Sequence, residues 1–162
     1  MMHLRTIVSM GVLCLLPFSA QALLQTCVVA SGGLAFGSYS FIDSSPTTAV
    51  GNVAITCSLL SGLSGETVSY NISLSTGNSG SYLSRKMISG AYQLQYNLHT
   101  QSGANGSIWG DGTSGTSTVQ DSYSLGLLGS VIRNYPVYGR IASGQNLPLG
   151  AYTDNLTITV NY

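Results

Sequence analysis

The chain has 162 residues, of which 20 are Gly and 10 are Tyr, and only 6% are charged, five cations balancing five anions. An ordinary soluble domain carries about 25% charge; five scattered cations argue against a nucleic-acid partner, and 44% hydrophobic residues argue against intrinsic disorder. Helix surfaces are usually coated with Glu, Lys and Arg, so this Gly-, Ser-, Thr- and Tyr-rich composition points to an extracellular β protein.

The first element is a targeting segment. Arg5 supplies a positive charge, Ile7 to Leu16 is an almost unbroken apolar run, and Pro17 breaks it. Ala20-Gln21-Ala22 has the small-x-small form of a signal-peptidase site. The run is about ten residues, too short to span a bilayer as a helix, and no later run is long enough for a membrane anchor. Residues 1–22 therefore read as a signal peptide and 23–162 as one exported domain, able to bury about two-thirds of its unfolded surface.

Cys14 leaves with the signal peptide, so Cys27 and Cys57 remain. Two cysteines in an oxidising compartment are expected to form one disulfide. A zinc site lacks ligands, since His99 is the only mature histidine and there is no CxxC. A Cys–His catalytic pair needs a free thiol, which export disfavours.

Beyond Cys27 the hydrophobic period is two. A first segment, Val28 to Phe36, precedes the alternating runs Val53/Ile55/Cys57, Val68/Tyr70/Ile72/Leu74 and Leu94/Tyr96/Leu98. Tyr135/Val137 with Ile141, then Leu156/Ile158/Val160/Tyr162, complete the set. Strict alternation marks half-buried strands, and the polar partners are Ser, Thr, Asn and Gln. Gly62 to Gly65, Thr76 to Gly80, Gly103 to Gly106 and Asp111-Gly112 supply turn residues between them. Gly103 to Gly129 has the weakest pattern and reads as a long loop with some strand character. The expected fold is all-β: a single immunoglobulin-like antiparallel sandwich with Greek-key connections.

Catalytic chemistry is scarce. Asp43, Glu66, Asp111, Asp121 and Asp154 lie in different segments, mostly beside turn residues, which disfavours a paired-carboxylate site. His99 falls on the polar face of its strand, and no G-x-S-x-G elbow occurs. Three sequons begin at Asn71, Asn105 and Asn155. No catalytic, cofactor or metal residue is assigned, and an enzyme is not expected.

Several motifs occur in register. They are Cys27 with Leu34-Ala35-Phe36-Gly37-Ser38-Tyr39, Ile55-Thr56-Cys57, Arg85-Lys86-Met87, Leu94-Gln95-Tyr96-Asn97-Leu98 and Trp109-Gly110-Asp111-Gly112. Tyr138-Gly139-Arg140-Ile141, Gly150-Ala151-Tyr152-Thr153-Asp154 and Leu156 to Tyr162 follow. In this order they resemble the spore coat protein U domain family, which includes secreted coat proteins and subunits of archaic chaperone–usher pili. The resemblance covers essentially the whole mature chain. It implies a sandwich missing its last strand, completed by β-strand addition from a periplasmic chaperone and then from a neighbouring subunit. The implied partners are that chaperone, an outer-membrane usher and other pilus subunits. The implied location is the periplasm, then the cell surface. Leu156, Ile158, Val160 and Tyr162 would then line the partner-strand groove.

Two expectations compete with or extend this reading. If the first segment, Val28 to Phe36, paired beside the last strand, the sheet would be closed. The protein would then be a self-complete coat protein or lectin-like binding module. Cleavage after Ala22 would leave four residues before Cys27, reaching about 13 Å, against about 33 Å for the strand from Thr153 to Tyr162. Such a subunit would accept a strand without donating one, which suits the distal tip of a fibre.

Overall fold

In the computed structural model, residues 25–59, 66–103, 106–126 and 129–162 are described. The signal segment 1–22, the Gly62–Gly65 turn and the sequon residue Asn105 lie outside them. The described residues form eight strands: β1 (Gln25–Ser31), β2 (Thr47–Leu59), β3 (Glu66–Leu74), β4 (Arg85–Ser89), β5 (Tyr92–His99), β6 (Val119–Leu125), β7 (Ser130–Ile141) and β8 (Ile158–Asn161). They make two antiparallel sheets, a five-stranded one ordered β1-β2-β7-β5-β4 and a three-stranded one ordered β6-β3-β8. This is the all-β sandwich expected from the period-two pattern.

The alternating residues decide which faces meet. Val53, Ile55, Cys57 and Leu59 of β2 are buried, as are Val68, Tyr70, Ile72 and Leu74 of β3 and Leu94, Tyr96 and Leu98 of β5. Their polar partners point outward, where water satisfies them. Trp109, fully buried between the sheets, donates its indole N–H to the Ile72 carbonyl at 2.9 Å. Cys27 and Cys57 are direct register partners on β1 and β2 and are joined by a disulfide.

The competing placement of the first segment is not observed, and two further elements differ from expectation. The first segment pairs with β2, from Gln25↔Leu59 to Ser31↔Val53, and leaves the sheet at Gly32; it does not lie beside the last strand. The region Gly103–Gly129 contains a seven-residue strand, β6, paired with β3. The last strand is shorter than the alternation suggests: Thr153 bridges Ile88 of β4, the chain crosses between the sheets, and only Ile158–Asn161 pairs with β3.

Candidate partner-strand cleft

Three strands cannot cover five. The exposure of inward residues shows where the sandwich is thin. On β3, Val68, Ile72 and Leu74 are at most 3% exposed, whereas Leu156, Ile158 and Val160, which pack against the same core, are only half-buried. Between them and the five-stranded sheet lies a cleft of about 420 Å³. Its floor includes Val53, Leu74, Leu98 and Val137, and one lip is formed by Asp154 to Leu156 with Ile158. The opposite lip is the segment after β1, where Gly33, Leu34 and Phe36 face in. A second cleft of about 970 Å³ lies between residues 34–41 and 147–152, and shares Leu34, Phe36, Met87 and Tyr152 with the first. The two form one slot in two chambers.

The first lip is pinned on its inner side. Thr153 exchanges backbone hydrogen bonds with Ile88 at 2.8 and 3.1 Å. The Asp154 carboxylate accepts from the Asn78 N–H at 2.8 Å and from the Tyr96 hydroxyl at 2.7 Å. Burial, and then that bond to Asp154, raises the Tyr96 phenol well above its ordinary value, so it remains a donor. Gly77, at φ +63°, stands against the same carboxylate where any Cβ would collide. Next, the Ser75 N–H donates to the Thr157 carbonyl at 3.0 Å, and the Thr157 N–H donates to Ser75 Oγ at 2.9 Å. Beyond Thr157 the chain joins the ladder with β3. The outer edge of β8 has no strand beside it among the described residues.

The second lip is held by side chains alone. Residues 32–40 pair with no strand. Leu34 and Phe36 rest on two glycines of the five-stranded sheet: a Cβ on Gly139 would lie 2.7 Å from Phe36, and one on Gly51 would lie 3.2 Å from Leu34. The Phe36 ring meets Tyr96 edge-on at 5.8 Å. The Tyr39 hydroxyl donates to the Ala142 carbonyl at 3.2 Å and accepts from the Gln145 N–H at 2.8 Å.

Both lips thus carry backbone whose outer edge has no strand beside it among the described residues, over an apolar floor. An extended segment laid between them would satisfy N–H and C=O groups on the β8 side and bury alternate side chains, which is the chemistry of strand addition. Of the four groove residues expected from the sequence, Leu156 and Ile158 line the cleft and Val160 packs half-buried farther along. Tyr162 is 47% exposed and sits in a shallow depression with Ser69, Asn71 and Gln120. The opposite lip, Leu34 and Phe36, and the continuation along 147–152 were not legible as groove residues; the hint was that Leu34 and Phe36 alternate without belonging to a strand. The acids are dispersed: Asp121 lies on β6, Asp154 in the lip, Asp111 in a turn, where it accepts from Thr113, and Asp43 in the loop before β2.

The sequence profile of the Spore Coat Protein U domain matches residues 15–159. Among solved structures, a chain of the CsuC–CsuE chaperone–tip adhesion subunit pre-assembly complex, from archaic chaperone–usher Csu pili of Acinetobacter baumannii, superposes with a TM-score of 0.54 at 23% identity. The match covers 86% of this chain and 40% of that one, and the likeness is one of fold. No curated protein matches.

Proposed function

The chain belongs to the spore coat protein U domain family, and we propose that it is an exported structural or adhesive subunit of a surface fibre, not a catalyst. Its cleft accepts a β-strand, first from a periplasmic chaperone and then from a neighbouring subunit delivered through an outer-membrane usher. The observation that carries this is the half-buried inner face of Leu156 and Ile158 over an apolar floor, flanked on both sides by backbone whose outer edge has no strand beside it among the described residues. The likeness in fold to a chain of a chaperone–subunit complex supports the same reading.

Residues from Gln25 onward are committed to β1 and cannot be donated to a neighbour without breaking the ladder to β2. What precedes Gln25 in the mature protein therefore decides whether the subunit donates as well as accepts. Sequencing the mature N-terminus measures this directly; cleavage after Ala22 favours a place at the fibre tip.

Leu34 and Phe36, which fill part of the slot, favour the competing reading of a self-complete secreted module. Periplasmic production with and without the chaperone of the same assembly system separates the two. A strand acceptor accumulates as a one-to-one complex and aggregates or is degraded alone. A self-complete module is monomeric alone and melts cooperatively.

A further inference from the structure

Strand addition raises a question of direction, because the three-stranded sheet has two outer edges. By backbone alone β6 is the better template, with seven residues against four on β8, and it too pairs only with β3 among the described residues. The two edges differ in what stands on their inward faces. On β8 those positions are apolar. On β6 the inward series Val119, Asp121, Tyr123 and Leu125 has a carboxylate at its centre.

Asp121 is held in a network that spans the gap between the sheets. Its Oδ2 accepts from the Tyr135 hydroxyl at 2.6 Å and lies 3.7 Å from Arg133 Nε, and its Oδ1 accepts from the Ser122 N–H at 2.8 Å. The Tyr135 and Tyr70 hydroxyls hydrogen-bond at 2.5 Å, and the Arg133 guanidinium sits 4.8 Å above the Tyr123 ring. Both Arg133 and Tyr135 come from β7 in the opposite sheet, so this side of the sandwich is bridged where the β8 side is open. Burial, and then the bond to Asp121, raises the Tyr135 phenol above its ordinary value, which keeps it a donor to the carboxylate.

A strand added beside β6 would set its inward side chains about 5 Å from Asp121 and Tyr123. It would enclose the Asp121–Arg133 pair, now partly exposed, and deprive it of water. Inward-pointing charge is a known means of making an edge unfit for pairing. We propose that Asp121, with Arg133 and Tyr135, confines strand addition to β8 by closing the longer β6 edge, so that each subunit accepts one strand and the fibre does not branch. This rests on the strand-acceptor reading above.

The test is the stoichiometry of the periplasmic chaperone complex by native mass spectrometry, for the wild type, for Asp121→Val with Arg133→Val, and for the exchanged pair Asp121→Arg with Arg133→Asp. One chaperone per subunit is expected for the wild type and the exchanged pair. The apolar variant is expected to take a second chaperone, or to form subunit oligomers at several times the wild-type level. Should the apolar variant not accumulate, Asp121→Asn with Arg133→Gln, which removes both charges and keeps hydrogen-bonding groups, is scored in the same way. A one-to-one complex without added oligomers in the charge-free variant overturns the proposal. Failure of the strand-acceptor reading looks different: the wild type then binds no chaperone, and the β6 edge is scored by self-association of the variant alone, where an unchanged monomer overturns the proposal.

Discussion

The guanidinium of Arg85 donates from Nε and Nη2 to the carbonyl of Ser75, at 3.0 and 2.8 Å. Ser75 in turn holds Thr157 by its N–H and its Oγ, so a single residue links a fully buried cation to the lip of the cleft. Arg85 also donates to the Trp109 carbonyl at 2.7 Å and to Asn97 Oδ1 at 2.9 Å. No carboxylate touches it among the described hydrogen bonds and ion pairs; backbone and amide oxygens solvate the charge instead.

Replacing Arg85 with Met therefore leaves the carbonyls of Ser75 and Trp109 without their donor inside the core, while the Asn97 amide oxygen keeps only the Leu98 N–H. Each buried orphan costs about 1–3 kcal/mol, so a loss of about 2 kcal/mol or more is expected. Arg85→Lys recovers only part of it, because one ammonium cannot reproduce the planar fork. Urea titration of the chaperone-bound subunit followed by Trp109 fluorescence measures both. A loss under about 0.5 kcal/mol for Arg85→Met, the range of an ordinary surface change, would contradict the assignment.

The Cys27–Cys57 bridge links register partners near the chain's entry into the sheet. Cys57→Ser is expected to lower stability by about 2–5 kcal/mol, and alkylation of the native mature protein should find no free thiol. Quantitative thiol labelling under oxidising conditions would contradict it.

Ile158 lines the cleft while Thr157 and Thr159 are exposed. Ile158→Asp would place an unpaired charge against the incoming strand at a cost of several kcal/mol and should abolish chaperone capture. Thr157→Asp and Thr159→Asp should retain it. Co-purification from the periplasm scores all three, and equal sensitivity of the two faces would mean that the register is shifted by one residue.

The tyrosines give a pH signature. Burial is the main cause that raises Tyr96, Tyr123 and Tyr135, with Tyr123 pushed up to about 12. A phenol whose folded pKa lies above its unfolded value of about 10 contributes stability that is whole below pH 10 and is lost as pH rises through the folded value. The fold should thus lose stability in the alkaline range above pH 10, and these three rings should ionise late. Ring-carbon NMR of tyrosine-labelled subunit in unlabelled chaperone checks this; all three titrating near pH 10 with the fold intact would count against it.

The strands that were legible in the sequence are those with an alternating apolar inward series: Val53 to Cys57, Val68 to Leu74, Leu94 to Leu98 and Tyr135 to Ile141. β6 escaped because Asp121 occupies an inward position and breaks the apolar series at its centre. β4 escaped because its buried residue is Arg85, which reads as a surface cation until three oxygens are found around it. The alternation from Leu156 to Tyr162 was real, yet only its latter half is ladder. Leu156 points inward while the chain is still crossing between sheets, and side-chain period does not distinguish that from pairing. The second lip was out of reach for a different reason. Leu34 and Phe36 meet the cleft through Gly51 and Gly139, contacts made by topology across distant segments.

Hydrogen exchange in the chaperone complex, resolved by residue, tests the strand-acceptor claim most directly, because both edges of the three-stranded sheet are read in one molecule. The account predicts that amides on the outer edge of β8 exchange as slowly as those of β3, while those on the outer edge of β6 exchange at least an order of magnitude faster. Outer-edge β8 amides exchanging as fast as those of β6, or protection gained on β6 instead, would contradict it.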